Sequence, residues 1–170
     1  PGGSRLPGLA AGLATTLCAS TWAGVTADIY PLIDARRDYN TFISVDRNLP
    51  AASMVADGPL SGMVLAIKDN IHVAGLPNTA GTPLLAGFVP AQDAAVIQRL
   101  KGAGALVIGK NILHELAYGI TSQNAAFGPV RNAINPDMLA GGSSGGTAAA
   151  VALGLADAGI GTYTGGSVRI

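Results

Sequence analysis

Cysteine and charged side chains are scarce in this chain of 170 residues, and each scarcity excludes a class of protein. Cys18 is the only cysteine, which excludes an internal disulfide and a metal cluster held by thiolates. Charged residues make up 12% of the chain, their formal charges cancel, and no basic run is longer than Arg36-Arg37. Nothing in this composition would recruit nucleic acid or an anionic membrane, so we expect a small-molecule partner. The single cysteine also fits a reducing compartment, and we expect a cytoplasmic protein.

Long uninterrupted apolar runs are also missing, which argues against a transmembrane helix. Residues 5–24 come nearest, and their layout, with Arg5 in front of an apolar stretch, resembles a secretory signal. Glycine and threonine dilute the hydrophobicity of this stretch, so the signal segment stays an alternative to a poorly defined N-terminal segment over residues 1–26. The chain as a whole is 49% apolar, which predicts a globular domain with a sizeable core.

The first periodic pattern lies between residues 27 and 57. It predicts a short amphipathic helix that ends near Asp38. One side of this helix would carry Ile29, Leu32, Ile33 and Arg36. Residues 40–45 then look extended, and residues 48–57 are predicted to form a helical connector or a loop.

A turn over Gly58–Gly62 opens a stretch in which strand-length apolar runs alternate with helical patterns. The predicted strands cover residues 63–67, 105–108 and 158–162, and the predicted helices cover residues 94–101, 112–118 and 147–155. Asp93 is a predicted N-cap, and the helix after it would bury one face made of Val96, Ile97 and Leu100. The alanine-rich helix over residues 147–155 is expected to be packed on both sides. This order of elements predicts an α/β fold, with a parallel or mixed sheet covered by helices.

The chain has two glycine-flanked serines, Ser143 and Ser167, that are candidate nucleophiles. A serine nucleophile needs a base, and the two histidines of the chain are poorly placed to supply one. His72 falls in a turn-like segment and His114 inside a predicted helix, where a structural or surface role is the favoured interpretation. Lys68 is better placed, because the apolar run before it would carry the amine to the end of a buried strand. Burial favours the neutral amine, which can accept a proton, and Asp69 would point to the opposite face. The alternative is a lysine that reaches solvent from the strand end.

Two glycine-flanked serine loops lie downstream of Lys68. The first is Gly141-Gly142-Ser143-Ser144-Gly145-Gly146-Thr147, where glycine permits backbone conformations and close approaches that other residues resist. By itself it could be an anion-binding loop or a flexible turn, although it lacks the lysine of a nucleotide-binding P-loop. The second loop, over residues 162–167, would leave a row of backbone N–H groups free for a developing oxyanion. A simple Gly-Gly-Ser linker is the alternative for this loop.

Lys68 and the two loops together resemble the amidase signature family, whose members hydrolyse carboxamides with a Ser–Ser–Lys triad. The resemblance runs from about Asp38 to Ile170. Besides the loops it includes the segments Ala66-Ile67-Lys68-Asp69-Asn70, Pro77-Asn78-Thr79-Ala80-Gly81-Thr82 and Gly102-Ala103-Gly104-Ala105-Leu106-Val107-Ile108-Gly109-Lys110. Residues 114–132 further resemble the branch that contains indoleacetamide hydrolase and mandelamide hydrolase.

The resemblance implies a role for each residue of the predicted site. Ser167 would be the nucleophile that forms an acyl-enzyme, Ser143 the bridging serine held by a cis peptide bond, and Lys68 the base behind it. Ser144 would support the hydrogen-bond network, and Arg169 would steady the loop or a polar end of the substrate. The oxyanion hole would consist of the backbone N–H groups of Thr164, Gly165, Gly166 and Ser167. Neither a cofactor nor a metal is implied.

The implied substrate is an arylacetamide such as indole-3-acetamide or mandelamide, and a homodimer is left open. The alternatives are the glutamine-hydrolysing subunit of a tRNA-dependent amidotransferase and a truncated, non-catalytic family member. The sequence departs from the family pattern at two positions, since Tyr163 stands where the family usually has Asp, and Ala133 where it usually has Pro. The first departure removes a carboxylate that would anchor the second loop, so we expect activity to be reduced or lost.

Length is the largest departure, because members of the family are more than twice as long. The resemblance therefore implies that residues 1–170 are the N-terminal portion of a single amidase domain, with the catalytic signature region over residues 58–170. The fold would be truncated after the nucleophile loop. We expect the isolated chain to expose a sheet edge and apolar helix faces, and to be inactive.

Overall fold

The fold is built on a mixed four-stranded sheet, seen in a computed structural model that describes residues 25–49 and 57–170. The strands are β1 (Phe42–Val45), β2 (Val64–Lys68), β3 (Leu106–Asn111) and β6 (Ala158–Ile160), in the spatial order β1-β3-β2-β6. β3 and β6 both run parallel to β2, whereas β1 pairs antiparallel with β3. The α/β prediction with a parallel or mixed sheet is thus confirmed, and it is the mixed form that occurs.

In the described part of the chain, three helices accompany the sheet: α1 (Val25–Ala35), α2 (Ala95–Gly102) and α3 (Gly145–Ala152). Short 3-10 turns lie at Arg37–Tyr39, Pro83–Leu85 and Glu115–Ala117, and a small hairpin pairs β4 (Gln123–Asn124) with β5 (Gly128–Pro129). α2 connects β2 to β3, and α3 connects β3 to β6. Parallel neighbours require such crossovers, since the chain must return to the same end of the sheet.

The central strand β2 is buried along its whole length and feeds a core on each face of the sheet. On one face, Val64 and Ala66 pack with α1 and with residues in α3 and directly after it. On the other face, Leu65 and Ile67 pack with Ile97 of α2. Successive side chains of a strand point to opposite faces, so this alternation also separates the two residues that follow. Lys68 continues the face of α3, and Asp69 continues the opposite face.

Two of the predicted helices differ from those observed. α1 ends at Ala35, before the 3-10 turn. Of the four residues predicted to share one side, Ile29 and Ile33 are buried, whereas Leu32 and Arg36 are exposed. Asp93 is not the N-cap of α2, because Ala94 holds that position. Its carboxylate instead accepts a hydrogen bond from the backbone N–H of Ala74 at 2.7 Å and pairs with Lys101 at 2.9 Å. In α2, Val96 is exposed while Ile97 is fully buried.

The predicted helix over residues 112–118 is wrong. Ile112 and Leu113 are buried in irregular backbone, and the 3-10 turn that follows has positive φ at Leu116 (54°) and Ala117 (58°). The backbone N–H of Leu116 donates to the carbonyl of Ala80 at 2.8 Å, so a tertiary contact replaces the helical ladder. Local spacing could not reveal this partner, which lies on another loop.

Strand limits and packing differ in three further places. β3 continues through Asn111, beyond the predicted end at residue 108. β6 stops at Ile160 and is only partly buried, because it lies at the edge of the sheet. α3 exposes Ala148 and Ala152, so it is packed on one side instead of two.

Some sequence predictions fall outside the described residues. They concern residues 1–24 of the N-terminal segment predicted over residues 1–26, the alternative signal segment over residues 5–24 and most of the connector over residues 48–57. The last two residues of the predicted N-terminal segment already belong to α1. None of the described helices has the length and hydrophobicity needed to cross a membrane.

Candidate active site

The candidate site lies where β2 and β6 end, next to the start of α3. Parallel strands bring their carboxyl ends to one edge of the sheet, and polar residues that follow them meet there. Lys68 is the last residue of β2, the loop of residues 162–167 follows β6, and the loop of residues 141–144 leads into α3. The three segments that carry the predicted triad are thus neighbours.

Lys68 is fully buried and faces two hydroxyl groups. Its Nζ lies 2.7 Å from Ser143 Oγ and 2.7 Å from Thr162 Oγ1. Burial in a poorly solvated environment lowers the pKa of Lys68 to about 8, because the charged ammonium loses hydration. About a tenth of this amine is therefore neutral at pH 7 and about half at pH 8, and the neutral form can take a proton.

Asp69 does not hold Lys68 in the charged state, because its carboxylate is bound on the other face of the sheet. Its Oδ1 accepts from Lys110 Nζ at 2.9 Å, and its Oδ2 accepts from the backbone N–H of Thr79 at 2.8 Å and from the Thr79 hydroxyl. Lys110 also donates to Asn78 Oδ1 at 3.1 Å. Burial lowers the pKa of Lys110, and its hydrogen bond and charge pairing with Asp69 oppose that shift. Lys110 therefore has a carboxylate partner, whereas the partners of Lys68 are hydroxyl groups.

Ser143 is buried in a tightly built loop whose Gly142–Ser143 peptide bond is cis. Its carbonyl oxygen accepts a hydrogen bond from the backbone N–H of His114 at 3.2 Å. A Cβ on Gly146 would lie 2.3 Å from the carbonyl oxygen of Ile112, so this position at the start of α3 admits only glycine. Close backbone approach explains one of the glycines around the paired serines.

The second serine loop is tied to the first by the backbone. The N–H of Ser144 donates to the carbonyl of Ser167 at 3.0 Å, and Ser144 Oγ donates to the carbonyl of Thr162 at 3.3 Å. Ser167 is half-buried, and its hydroxyl forms no hydrogen bond with Ser143 or Lys68. The structure therefore joins Lys68 to Ser143 and places Ser167 on an adjoining loop without a direct side-chain hydrogen bond to either.

The backbone N–H groups predicted for the oxyanion hole have no acceptor within the described part of the chain. They belong to Thr164, Gly165, Gly166 and Ser167, and the loop turns at Gly166, where φ is 124°. Unpaired N–H groups in a row can donate to an anionic oxygen without first breaking an internal hydrogen bond. The loop thus has the donors that its predicted role requires.

Arg169 contacts the residue that departs from the family pattern. Its Nη2 donates to the hydroxyl of Tyr163 at 2.7 Å, and its guanidinium lies 5.3 Å from the centre of the Tyr163 ring. Both side chains are exposed. Tyr163 and Arg169 thus lie on either side of Ser167 in the chain and are joined by a hydrogen bond.

Neither histidine ring is hydrogen-bonded to a serine of the two loops, in keeping with the sequence interpretation, although the backbone of His114 contacts Ser143. His72 is exposed and stacks edge-on against Phe88, and the His114 ring is hydrogen-bonded to the hydroxyl of Thr121 at 3.2 Å. Across residues 25–49 and 57–170, no three histidine, cysteine or carboxylate side chains are grouped closely enough to hold a metal ion.

Thr162 and Asn70 are site residues that the sequence alone did not identify. Thr162 is the second partner of the Lys68 amine, and Asn70 Nδ2 donates to the same Thr162 oxygen at 3.1 Å. Both are polar residues that directly follow strands, and this position was the only feature of the sequence that could have marked them as site residues. Their contact with each other could be predicted only from the pairing of β6 with β2, and the sequence analysis did not predict the order of the strands.

Comparison with known proteins gives consistent matches. The Amidase family profile matches residues 39–170. Indoleacetamide hydrolase of Pseudomonas savastanoi is 55% identical over 112 residues, which are 66% of this chain and 25% of that protein. A glutamyl-tRNA(Gln) amidotransferase subunit of Methanospirillum hungatei JF-1 is 49% identical over 113 residues, which are 66% of this chain and 26% of that protein.

A similar architecture is found among solved structures. The crystal structure of the corresponding glutamyl-tRNA(Gln) amidotransferase subunit from Thermotoga maritima superposes with a TM-score of 0.80 at 36% identity, covering 87% of this chain and 32% of that chain. The chain spans about a quarter of the length of the curated relatives it matches.

Proposed function

Because the chain belongs to the amidase signature family, we propose that its site hydrolyses a carboxamide to a carboxylate and ammonia. The observation that carries this proposal is the buried Lys68 amine, 2.7 Å from the Ser143 hydroxyl. Within the described residues no carboxylate is hydrogen-bonded to this amine, and burial lowers its pKa to about 8. A neutral amine beside a serine hydroxyl is a base that needs no histidine.

Acylation begins with proton transfer along the two serines. Lys68 takes the proton of Ser143 as Ser143 takes the proton of Ser167, and Ser167 Oγ forms a bond to the carbonyl carbon. The carbonyl π electrons move onto oxygen, and the backbone N–H groups of residues 164–167 stabilise that negative charge. The Ser143 hydroxyl bond to Lys68 supports the first transfer. Closer approach of Ser167 to Ser143 would accompany substrate binding.

Breakdown of the tetrahedral intermediate breaks the C–N bond. The proton held by Lys68 returns through Ser143 to the leaving nitrogen, ammonia departs, and an ester to Ser167 remains. Water then loses a proton to the same relay and attacks the ester, which releases the carboxylate and restores the Ser167 hydroxyl. The relay passes the proton taken from water to Ser167, and the carboxylic acid that forms gives its own proton to ammonia. The amide and water thus become carboxylate and ammonium, and atoms and charge balance over the cycle.

The finer proposal for the substrate is an arylacetamide such as indole-3-acetamide or mandelamide. It is supported by the 55% identity to indoleacetamide hydrolase and by the resemblance of residues 114–132 to that branch. The 49% identity to an amidotransferase subunit supports a second candidate, hydrolysis of glutamine within a larger complex. Ammonia release from indole-3-acetamide, mandelamide and glutamine, measured in parallel, separates the two candidates.

The catalytic proposal is tested in a chimera, because the chain spans about a quarter of its relatives. Residues 39–170 replace the corresponding segment of the Pseudomonas savastanoi hydrolase, which supplies the remaining part of the protein. The chimera is expected to hydrolyse indole-3-acetamide and to lose that activity in Ser167→Ala and Lys68→Met. A folded chimera without activity, or one whose activity survives Ser167→Ala, would contradict the proposed site.

The isolated chain is tested separately. We expect no reaction with a fluorophosphonate probe, whereas labelling that disappears in Ser167→Ala would contradict the expected inactivity. The family alternative of a non-catalytic member predicts that the chimera also stays unlabelled. We propose a small amide as the partner of this site and the cytoplasm as its compartment.

A further inference from the structure

Asn70 lies behind the candidate base and has no part in the proton transfers described above. Its Nδ2 is 3.1 Å from Thr162 Oγ1, and Lys68 Nζ is 2.7 Å from the same oxygen. Asn70 Oδ1 is buried and has no hydrogen-bond partner among the described residues. The side chain is only partly buried, but a buried amide oxygen without a partner costs free energy, so packing stability does not explain this side chain.

The shared oxygen of Thr162 limits where its own proton can point. A hydroxyl has one proton and two lone pairs, and an amide N–H can be met only by a lone pair. With one lone pair turned to Asn70 and the other to Lys68, the Thr162 proton points away from both nitrogens. The hydroxyl then accepts from the lysine and does not donate to it.

This orientation matters for the lone pair of the amine. A neutral lysine has one lone pair and two N–H bonds. If Thr162 donated its proton to Lys68, that lone pair would be occupied and could not receive the proton of Ser143. If Thr162 accepts an N–H bond, the lone pair is left for Ser143 Oγ, 2.7 Å away.

We infer that Asn70 is a positioning residue, which holds the Thr162 hydroxyl as an acceptor so that the Lys68 lone pair faces Ser143. The inference rests on the proposed function, in which Lys68 is the base. It assigns Asn70 and Thr162 to the same task, with Asn70 acting through Thr162 and touching neither substrate nor the reacting serines.

Charged groups around Lys68 do not provide an alternative control. Asp69, directly after β2, and Lys110 of β3 pair with each other on the opposite face of the sheet. Before β6, the Asp157 carboxylate accepts from the backbone N–H of Val64, at the far end of β2. The other ionisable groups near these loops belong to His114, Tyr163 and Arg169, and α3 contains no ionisable side chain. Neutral substitutions at positions 70 and 162 therefore report on the hydroxyl contacts.

The test measures the pKa of Lys68 by nuclear magnetic resonance in the full 170-residue chain. The chain has three lysines, Lys68, Lys101 and Lys110, so selective carbon-13 labelling at Cε gives three signals, and Lys68→Met assigns the one of interest. The variants are Asn70→Leu, Thr162→Val and the double variant. Asn78→Leu is the matched control, because Asn78 holds the other buried lysine, Lys110, by a hydrogen bond.

The expected results differ in size between variants. Thr162→Val removes an acceptor of the ammonium and lowers the Lys68 pKa by about one unit, since a hydrogen bond to a charged group is strong. Asn70→Leu frees the Thr162 proton to meet the amine and lowers the pKa by about half as much. The double variant matches Thr162→Val alone, because Asn70 has lost the residue through which it acts. Asn78→Leu shifts Lys110 and leaves Lys68 unchanged.

Two results overturn the inference: an unchanged Lys68 pKa in Asn70→Leu, or additive shifts in the double variant. The Lys110 titration serves as the check of folding, and Asn70→Ala replaces Asn70→Leu if that check fails. The titration does not depend on turnover. A chain with the expected coupling whose chimera lacks hydrolase activity would therefore contradict the proposed function and support the role of Asn70.

Discussion

The amine of Lys68 lies 2.7 Å from the hydroxyl oxygen of Ser143, and both side chains are fully buried. A charged ammonium would be costly there, because it has lost water and gained only hydroxyl partners. The pair is therefore suited to exchange a proton near neutral pH. Its consequences can be measured in rate, in stability and in the response of neighbouring residues.

The pH dependence of hydrolysis follows from the pKa of about 8 at Lys68. The base must be neutral, so kcat/KM of the chimera should rise about tenfold per pH unit below 8 and level off above it. Lys68→Arg supplies the control, because arginine stays protonated over this range. A rate that falls as pH rises through 8 would contradict a lysine base.

The free energy of unfolding should rise with pH because of Lys68, whereas a lysine in a salt bridge would make it fall. Its pKa falls from 10.5 in the unfolded chain to about 8 in the folded one, so the unfolded state binds more protons between these values. Stability therefore rises with pH through this window, and the buried amine costs about 3 kcal/mol below it. Lys68→Met should raise the free energy of unfolding at pH 7 in urea titrations. A variant less stable than the native chain at pH 7 would oppose this account.

The buried pair of Asp69 and Lys110 should behave in the opposite way to Lys68. Each side chain has 0% exposure, and the pair is 2.9 Å apart. Removing one charge leaves the other unpaired, so Asp69→Asn and Lys110→Met should each cost about 3–5 kcal/mol. The double variant should recover part of that loss, which a double-mutant cycle in urea would measure. Additive losses would indicate that the two charges do not depend on each other.

Tyr163 and Arg169 test the departure from the family pattern. Their contact is exposed, so Tyr163→Phe should change stability by less than about 1 kcal/mol. Tyr163→Asp gives the guanidinium a carboxylate partner and should raise kcat in the chimera about threefold to tenfold with little change in KM. Lower kcat in Tyr163→Asp would mean that the phenol is the better anchor for this loop.

The sheet was predictable where the apolar pattern is unambiguous. The run before Lys68 and the run that forms β3 are bounded by glycine turns or polar residues, and both became buried strands. The apolar run before Lys68 also indicated burial of the amine, and the structure explains that burial by placing β2 between β3 and β6. The glycines around the paired serines indicated close backbone contacts, as at Gly146.

Other features depend on partners that are distant in sequence. The helix predicted over residues 112–118 gave way to a contact between Leu116 and Ala80, and Asp93 binds Ala74 and Lys101 instead of capping α2. Thr162 meets Lys68 only because β6 lies beside β2. The meeting of Lys68 with Ser143 is a structural observation, while the chemical roles of these residues stay predictions.

The hydrogen bond from the Ser144 amide to the Ser167 carbonyl couples the two serine loops mechanically. An inhibitor that displaces residues 162–167 should also displace the first turn of α3, because the Ser144 amide at the start of that helix is hydrogen-bonded to the loop. The rate of deuterium exchange at the Ser144 amide would then report how often the hydrogen bond to the neighbouring loop opens, and no label on Ser167 would be needed.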